Sequence, residues 1–251
     1  KRLSEEPGFG LASESESGRT AALEYTEEAR RAMLKINDRA GRAAVVTVQL
    51  HSAPSLTSSE ATSSLEAFSR SLEEIVTWDW QEAKFAIEHC DALAAGHAPE
   101  KGFLPLTDEI IAVLKVNAAT GSDIGITINW GRSAIECRSA DGVVSHITEA
   151  KKAGLLKGLI FSGCSAEETA WGAWKDTHMP PAPAPGMEYA AEKSLMTEAN
   201  IRACLEVAET ENLDYLGIKI MDLPNTGSIA RSAGLNRDFI YLLNRLVRDQ
   251  A

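Results

Sequence analysis

The stretch Phe85-Ala-Ile-Glu-His-Cys90 decides the fold, because it is a short apolar run that carries a charged side chain in its middle. Its length and residue types are typical of a strand buried in a parallel sheet. Four other runs share this character, and each is followed by a longer helix-like stretch. The five predicted strands are Val45–Leu50, Phe85–Cys90, Ile124–Asn129, Gly158–Ser162 and Leu216–Met221.

The strand starts lie about 34 to 58 residues apart, which is the spacing of repeated βα units in a parallel sheet. Two capping-box patterns and one threonine before an apolar periodic run indicate helix starts between the strands. These signals are Ser63-x-x-Glu66, Ser165-x-x-Glu168 and Thr197. Helices are also predicted over about Thr20–Asn37, ahead of the first strand, and near Ser228–Arg248, after the last.

Five βα units are three fewer than a closed (β/α)8 barrel contains. We therefore predict an α/β TIM barrel that lacks its first three βα units here, so that roughly 80–100 residues precede this chain. Residues 1–251 then form a single, N-terminally incomplete domain. The alternative is an open five-stranded sheet of the flavodoxin type, although the usual phosphate loop does not follow the first strand.

A proline-rich segment, Met179-Pro-Pro-Ala-Pro-Ala-Pro-Gly186, precedes the helix start at Thr197. Its prolines exclude a helix there and favour an extended loop. Because the loop follows a predicted strand, residues 175–196 are predicted to form a lid, with a disordered linker as the equal alternative.

The composition excludes several classes of partner. There are 36 Asp and Glu residues against 25 Lys and Arg, so the formal net charge is −11, which opposes binding to nucleic acid and to anionic membrane surfaces. No apolar stretch reaches the roughly 20 residues that a membrane-spanning helix needs. The four cysteines show neither a disulfide framework nor zinc spacing, which predicts a cytoplasmic protein. These features are compatible with a homo-oligomer.

Polar residues recur on one face of the predicted strands. In a parallel barrel alternate strand residues point inward, and the chemistry occurs at the carboxyl ends of the strands. The outward set is almost wholly apolar, whereas the inward set is polar, which predicts a binding or catalytic pocket. The inward set includes Thr47, Gln49, His51, Ala86, Glu88, Cys90, Gly125, Thr127, Asn129, Gly217, Lys219 and Met221.

Glu88 is the most informative of these residues, because a buried carboxylate is costly unless it is paired, hydrogen-bonded or bound to a metal. It is predicted to be a general base or a metal ligand, or to form an inner-barrel ion pair with Lys219. His51, at the end of the first strand, can move protons near neutral pH or bind a hydroxyl group, with a structural hydrogen bond at the rim as the alternative. His89 points outward in this register, and a structural role is predicted for it.

The run Asn129-Trp-Gly-Arg-Ser-Ala-Ile-Glu136 follows the third strand. Asn129 can bind a ligand hydroxyl group, Trp130 can stack on a sugar face, and Arg132 can hold a carboxylate or a phosphate. The structural alternative is that Trp130 packs on the rim and Arg132 pairs with Glu136. The remaining tryptophans are predicted to pack in helices or loops: Trp78, Trp80, Trp171 and Trp174.

Two short turns follow the last two strands, Ser162-Gly-Cys-Ser165 and Pro224-Asn-Thr-Gly-Ser228. Such turns can bind phosphate through backbone amides at a helix N-terminus. Ordinary turn chemistry is the alternative.

Three of these motifs resemble one family. The runs Gln49-Leu-His-Ser-Ala-Pro54, Ile87-Glu-His-Cys-Asp91 and Ile128 to Glu136 are similar to the xylose-isomerase-like TIM barrels, the sugar phosphate isomerase/epimerase superfamily. Within it they resemble an uncharacterised bacterial branch, a domain of unknown function. The resemblance extends from about residue 8 to the C-terminus and lacks the first three βα units.

The resemblance implies a divalent metal held by Glu, Asp, His and Glu on the last four strands. Glu88 matches the first of these positions, whereas Asn129, Ser162 and Lys219 stand at the other three. A hard divalent ion prefers several anionic oxygen ligands, and the Lys219 ammonium would repel it. We therefore predict a site without a metal cofactor, in which Lys219 replaces the charge of the metal. A Mn²⁺ or Mg²⁺ ion bound at Glu88 is the alternative.

The function that these residues predict is that of a sugar isomerase- or epimerase-like enzyme, or a lyase, that transfers protons on a carbohydrate-type small molecule. Glu88 would be the base, His51 a second acid/base, and Lys219 the group that stabilises an enolate-like oxyanion. The residues predicted to bind the substrate are Gln49, Asn129, Trp130, Arg132 and Ser162. The alternatives are a catalytically silent sugar-binding barrel and a metal-dependent isomerase that uses Glu88. An abasic-site nuclease of the same superfamily is disfavoured, because the sequence shows no basic groove or multi-metal motif.

Overall fold

The computed structural model of the chain describes residues 6, 8–57, 62–223 and 228–250. In this part of the chain strands alternate with helices, as the spacing of the apolar runs predicts, and no helix is long and apolar enough to cross a membrane. The chain forms two compact units, residues 1–126 and 127–251. The elements are α1 (Glu16–Ala40), β1 (Thr47–Leu50), α2 (Leu65–Ile75), β2 (Lys84–His89), α3 (Leu106–Thr120), β3 (Gly125–Asn129), α4 (Trp130–Cys137), α5 (Ala140–Lys152), β4 (Leu156–Phe161), α6 (Glu198–Ala208), the 3-10 turn Thr210–Asn212, β5 (Tyr215–Ile218) and α7 (Ile229–Arg248).

In the N-terminal unit β1 and β2 form a parallel pair, with Leu50 opposite Ile87. Helix α2 packs against α1 and α3, and it buries the apolar stripe Phe68, Leu72 and Ile75. Burial of each such side chain stabilises the fold by about 1.5–3 kcal/mol. The parallel pairing sets the carboxyl ends of β1 and β2 side by side.

In the C-terminal unit β4 and β5 form a second parallel pair, with Gly158 opposite Tyr215. A side chain at position 158 would not fit, because a Cβ atom there would lie 2.4 Å from Cζ of Tyr215. Phe161 of β4 packs edge-to-face on Phe239 of α7, and both rings are fully buried. The loops that leave β4 and β5 therefore begin from a fixed pair of strand ends.

The last strand is shorter than predicted. It ends at Ile218, so Lys219 and Met221 lie beyond it instead of inside the predicted strand Leu216–Met221. The amide of Lys219 still donates to the carbonyl oxygen of Phe161 (2.9 Å), whereas the amide of Met221 donates to the carbonyl oxygen of His178 (2.8 Å). Beyond Lys219 the chain no longer pairs with β4, because the next acceptor, the carbonyl oxygen of His178, belongs to the loop that follows β4.

Two helix starts differ from the prediction. Helix α2 is capped by Ser64 and not by Ser63, because the hydroxyl group of Ser63 donates instead to the carbonyl oxygen of Pro54 (2.9 Å). Helix α1 is longer than predicted, since Ser15 caps its start and Gly41, with φ of 63°, ends it in the left-handed conformation.

The other two start signals give one error and one confirmation. No helix follows Ser165, whose hydroxyl group accepts from the amide of Glu167 within a turn (3.0 Å). Thr197 caps α6, as predicted. The predicted last helix is also present as α7, and Ser228 caps it.

The proline-rich segment has no helix or strand, as predicted, but its first half is fixed. Met179 and Gly163 exchange two backbone hydrogen bonds (2.9 and 3.1 Å), and the amide of Ala182 donates to the carbonyl oxygen of Met196 (3.0 Å). Pro180 and Pro181 are buried. A disordered linker does not fit residues 179–182, and movement of residues 175–196 as a lid stays a prediction.

Candidate functional site

The carboxyl ends of β1 and β2 bring Glu88 and His51 together. Glu88 lies on β2 and is 2 % exposed, whereas His51 follows directly after β1 and its side chain is 40 % exposed. Nε2 of His51 lies 3.6 Å from Oε2 of Glu88. The register explains this contact, because Leu50 lies opposite Ile87 and the next residue of each strand points to the same face.

Two groups approach the other ring nitrogen of His51. Nδ1 lies 3.3 Å from the carbonyl oxygen of Glu88 and 3.4 Å from Sγ of Cys90. A carbonyl oxygen can only accept, so the tautomer with a proton on Nδ1 suits that contact. Nε2 then faces the Glu88 carboxyl group, and the pair sets a buried carboxyl group beside a half-exposed imidazole, two groups that can exchange protons with a substrate.

The neighbouring residues, Ser52 and His89, face the other side of the strands. Nδ1 of His89 donates to Oε2 of Glu109 (2.8 Å), and the Ser52 hydroxyl group donates to Oε1 of the same carboxylate (2.5 Å). All three side chains are fully buried. These contacts support the predicted structural role of His89. Glu109 of α3 connects the ends of β1 and β2 on the face opposite to His51 and Glu88.

Glu109 did not stand out in the sequence analysis, although a signal was present. Helix α3 buries Leu106, Ile110, Val113 and Val116, and Glu109 falls on the same face of that helix. A glutamate within an apolar helix face is a buried carboxylate in need of partners. That rule was applied to Glu88 on a strand and not to the helices.

Asn129 and Trp130 have structural roles. Oδ1 of Asn129 accepts from the amides of Gly131 (3.1 Å) and Arg132 (3.4 Å), so it caps α4. Trp130 is 1 % exposed and packs among apolar residues such as Ile147. The prediction that Trp130 stacks on a sugar face is wrong, because its ring lies in the core of the C-terminal unit. The rim position considered for it is wrong for the same reason.

Arg132 begins a buried polar network. One of its guanidinium nitrogens lies 2.6 Å from Oδ2 of Asp176, and both side chains are less than a tenth exposed. Oε1 of Glu136, the predicted alternative partner, lies 3.6 Å from Nε2 of His146, and its pairing with Arg132 stays a prediction. Nδ1 of His178 lies 3.4 Å from Oδ1 of Asp176 and 3.0 Å from the hydroxyl group of Ser162. Arg132 and Ser162 are thus connected through two residues that the sequence analysis missed.

The contacts of His178 define its chemistry. Asp176 and Ser162 approach the same ring nitrogen, Nδ1, whereas a Ser–His–Asp relay uses both nitrogens of the imidazole. Ser162 is therefore not an activated nucleophile of that kind. Asp176 and Ser162 together hold the ring of His178 through Nδ1.

A cavity of about 440 Å³ lies beside this network, between the loops that follow β4 and β5. Its lining includes Trp171, Asp176, Thr177, His178, Met221 and Asp222. Trp171 was predicted to be a packing residue, and it instead forms part of a cavity wall. The loop from β4 carries most of these residues, and nothing in its local pattern distinguishes them from ordinary loop residues.

Backbone strain is concentrated around the same loop. Five non-glycine residues in the described part of the chain have left-handed φ values, and three of them lie on this loop or contact it: Arg138 (49°), Trp174 (53°) and His178 (56°). The Arg138 guanidinium lies 5.1 Å from the centroid of the Trp174 ring. Each such residue costs about 1–2 kcal/mol, and residues of this kind cluster at binding and catalytic sites.

The turn Ser162–Ser165 does not have the geometry of a phosphate site. The amide of Gly163 already donates to the carbonyl oxygen of Met179 (2.9 Å), and no helix begins after the turn. A Cβ atom at position 163 would lie 2.5 Å from that carbonyl oxygen, so glycine is required for this close approach. In the other predicted turn, residues 224–227 lie outside the described residues, and Ser228 caps α7.

Gln49 and Lys219, the remaining predicted site residues, are half-buried. Gln49 lies on β1 opposite Ala86, and Lys219 directly follows β5. The ion pair between Glu88 and Lys219 stays a prediction.

Sequence comparison finds one family and one close relative. Residues 1–233 match the family described as Domain of unknown function (DUF4862). An uncharacterized protein of Salmonella typhimurium is 36% identical over 249 residues, which are 99% of this chain and 75% of the relative.

Two solved structures have a similar fold at low identity. A xylose isomerase-like TIM barrel/4-hydroxyphenylpyruvate dioxygenase fusion protein matches 96% of this chain with a TM-score of 0.55 and 12% identity, and the chain spans 33% of that protein. The IOLI protein, solved with a zinc atom, matches 95% of this chain with a TM-score of 0.55 and 11% identity, and the chain spans 74% of it. These matches confirm the predicted α/β architecture of a partial TIM barrel over the flavodoxin-type alternative.

Proposed function

We propose that this chain, which belongs to the family Domain of unknown function (DUF4862), is an isomerase- or epimerase-like enzyme that transfers protons on a carbohydrate-type small molecule. The observation that carries the proposal is the buried carboxyl group of Glu88, 3.6 Å from the half-exposed imidazole of His51. Isomerisation of a hydroxy-carbonyl compound needs a group that removes a proton from carbon and a group that returns one.

Glu88 is the base of the proposed reaction. Its carboxylate takes the proton from the carbon next to the substrate carbonyl group, and the C–H electron pair forms the double bond of an enediolate. The carbonyl oxygen gains the negative charge, which a hydrogen-bond donor or a cation must stabilise. His51 exchanges protons with the substrate oxygens. In isomerisation Glu88 returns the proton to the neighbouring carbon, whereas in epimerisation a second acid, the role proposed for His51, delivers a proton to the opposite face of the same carbon.

We propose that this reaction proceeds without the divalent metal that the resemblance implies. Glu88 is the single carboxylate at the four corresponding positions. Two of the others are already engaged, because Asn129 Oδ1 caps α4 and the Ser162 hydroxyl group contacts His178. The donor set therefore does not fit a hard cation, which requires several anionic oxygens.

The substrate-binding roles change with the observed contacts. Arg132 and Ser162 orient Asp176 and His178 within the C-terminal unit. Gln49 remains a proposed direct contact. We leave Trp130 out, because it is buried in the core.

Hydrogen exchange at carbon tests the proposal. Aldoses and ketoses are incubated with the protein in D₂O, and deuterium at the carbon next to the carbonyl group is measured by NMR. Glu88→Gln should lower exchange by a factor of about 100 or more, as expected for loss of a general base. Glu82→Gln changes an exposed glutamate just before β2 and should leave the rate unchanged.

Two results would contradict the proposal. Exchange that persists in Glu88→Gln would remove Glu88 from the base position. Binding of a sugar without exchange at any carbon would favour the second candidate, a sugar-binding barrel without turnover, which the cavity beside Trp171 supports.

A further inference from the structure

The corner between α4 and α5 brings a cysteine, a glutamate and a histidine together. Two residues, Arg138 and Ser139, connect these helices. Arg138 turns the chain with a left-handed φ of 49°, and the Ser139 side chain caps α5. Glu136 and Cys137 are the last residues of α4, and the short connection places them against His146 on α5.

The two helices approach closely at Cys137. A Cβ atom at Gly142, in the first turn of α5, would lie 2.1 Å from Cβ of Cys137, so glycine is required there. Cys137 is nevertheless exposed, whereas the side chains of Glu136 and His146 are mostly buried. The group therefore lies at the surface, where an ion can reach it from solvent, and packing holds two of its three side chains.

The thiol of Cys137 and the carboxylate of Glu136 face the same nitrogen of His146. Nε2 of His146 lies 3.6 Å from Sγ of Cys137 and 3.6 Å from Oε1 of Glu136. A zinc ion has bonds of about 2.3 Å to sulfur and about 2.1 Å to nitrogen or oxygen. At the tetrahedral angle these bonds place sulfur and nitrogen about 3.6 Å apart, and nitrogen and oxygen about 3.4 Å apart. Both observed distances are therefore close to the spacing of zinc ligands.

The opposite nitrogen of His146 contacts a hydroxyl group. Nδ1 lies 2.9 Å from Oγ of Ser133, which is fully buried on α4. In the tautomer that donates from Nδ1 to Ser133, the lone pair of Nε2 faces Cys137 and Glu136. Zinc-binding histidines almost always have a hydrogen bond of this kind, because it fixes the orientation and the tautomer of the ring.

A second group of the same three residue types lacks this arrangement. In the N-terminal unit His51 contacts Cys90 through Nδ1 (3.4 Å) and Glu88 through Nε2 (3.6 Å). A thiolate and a carboxylate on opposite ring nitrogens cannot both bind an ion that the imidazole also binds, because the ion lies on one side of the ring. The shared nitrogen of His146 is therefore the feature that distinguishes the corner between α4 and α5.

We propose that Cys137, His146 and Glu136 bind one thiophilic divalent ion of the zinc class, with solvent as a fourth ligand. The Cys137 thiol releases its proton to solvent when the ion binds, and Glu136 brings an oxygen to the ion by rotation about its outer side-chain bonds. The ion would connect α4 to α5. None of these residues stands at the four metal positions that the resemblance implies, so the inference is independent of the proposed reaction.

Binding of Co²⁺ and Zn²⁺ to the full, reduced chain tests the site. Cobalt reports its ligands by absorption, because a bound thiolate gives a charge-transfer band that oxygen and nitrogen ligands do not give. We expect this band to saturate at about one ion per chain and to disappear when Zn²⁺ is added. The dissociation constant for Zn²⁺ should be about 1 μM or lower.

Matched variants identify the ligands. Cys137→Ala should abolish the cobalt band and weaken Zn²⁺ binding about 100-fold or more. Cys90→Ala makes the same change beside His51 and should leave both unchanged. Ser133→Ala removes no ligand, so it should keep the band and weaken Zn²⁺ binding about tenfold, through the looser ring of His146. Circular dichroism confirms that each variant is folded.

Protection of the thiol needs no variant. Compared with chelator-treated protein, Zn²⁺ should slow the reaction of Cys137 with iodoacetamide at least about tenfold and leave buried Cys164 and Cys204 unaffected. An unchanged rate at Cys137 would overturn the inference.

Three other results would also overturn it: no cobalt–thiolate band in the unaltered protein, unchanged Zn²⁺ affinity in Cys137→Ala, or an equal loss in Cys90→Ala. Glu88→Gln separates this site from the metal-dependent alternative, since it should abolish hydrogen exchange and leave Zn²⁺ binding unchanged. Loss of the Zn²⁺ ion in Glu88→Gln would instead place the ion at Glu88.

Discussion

At the scale of single residues, Glu109 links the structural elements behind the candidate site. Replacing it by alanine removes the partner of buried His89 and Ser52. We expect Glu109→Ala to lower the free energy of unfolding by about 3–5 kcal/mol, the usual cost of breaking a buried pair. Urea unfolding followed by circular dichroism measures this.

The control for Glu109 is an exposed glutamate of the same unit. Glu82→Gln should change the free energy of unfolding by about 0.5 kcal/mol or less. A loss below about 1 kcal/mol in Glu109→Ala would contradict the view that this carboxylate holds the strand ends together.

Thiol reactivity is a second prediction at this scale. Burial raises the pKa of Cys164 and of Cys204 to about 12, and burial with the nearby Glu136 carboxylate raises the pKa of Cys137 to about 11. Only thiolates react with iodoacetamide. At pH 8 the folded protein should therefore be modified slowly, and first at exposed Cys137.

Mass spectrometry of the modified peptides checks the order of reaction. In urea all four cysteines, including buried Cys90, should react at similar rates. Modification of Cys164 or Cys204 as fast as Cys137 in the folded protein would show that the core of the C-terminal unit opens readily.

At the scale of elements, Asp238 of α7 holds the loop residues that directly follow the proline-rich segment. Its carboxylate accepts from the amides of Glu188 (2.8 Å) and Tyr189 (3.0 Å). Burial alone would raise the pKa of Asp238, but the Arg237 guanidinium and these two amides outweigh it and hold the pKa below its ordinary value. The loop thus depends on an ionised side chain.

The predicted effect of Asp238→Asn depends on pH. The stability from Asp238 is fully present above the ordinary pKa of the group and is lost as the pH falls through the lower pKa of the folded state. We expect Asp238→Asn to lose about 2 kcal/mol at pH 7 and progressively less as the pH falls below 3.8, the ordinary pKa of the group. Urea unfolding over a series of pH values measures the difference, with exposed Asp249→Asn as the control, and a loss that does not change with pH would contradict the assignment.

The elements also show what the sequence could predict. The strand positions followed from five apolar runs. Glu88 and His51 were each predicted as site residues at strand ends, but their contact was not, since the partner expected for Glu88 was Lys219. Asp176 and His178 were missed because the long loop after β4 is placed by tertiary hydrogen bonds that leave no periodic pattern. Trp130 was misjudged because the start of a helix directly after β3 turns its ring into the core.

At the scale of the whole molecule, metal content is the property that divides the competing mechanisms. We expect elemental analysis of the purified protein, after incubation with excess Mn²⁺ and removal of free ions, to find no Mn or Mg that is lost in Glu88→Gln. The reason is that Asn129, Ser162 and Lys219 stand where anionic or imidazole ligands are needed. About one ion per chain that disappears in Glu88→Gln would restore the metal-dependent alternative.

The alternation along β1 and β2 has a consequence for how this chain can mutate. Consecutive residues there make contacts on opposite faces. His51 and Glu88 meet on one face, whereas Ser52 and His89 bind Glu109 on the other. A substitution at one of these positions damages one face and leaves the other. Deletion of a single residue within β2 would instead exchange the two sets, turning an imidazole toward His51 and a carboxylate toward Glu109. Insertions and deletions in this short strand should therefore be tolerated far less than substitutions, because a register shift of one residue disrupts the contacts on both faces.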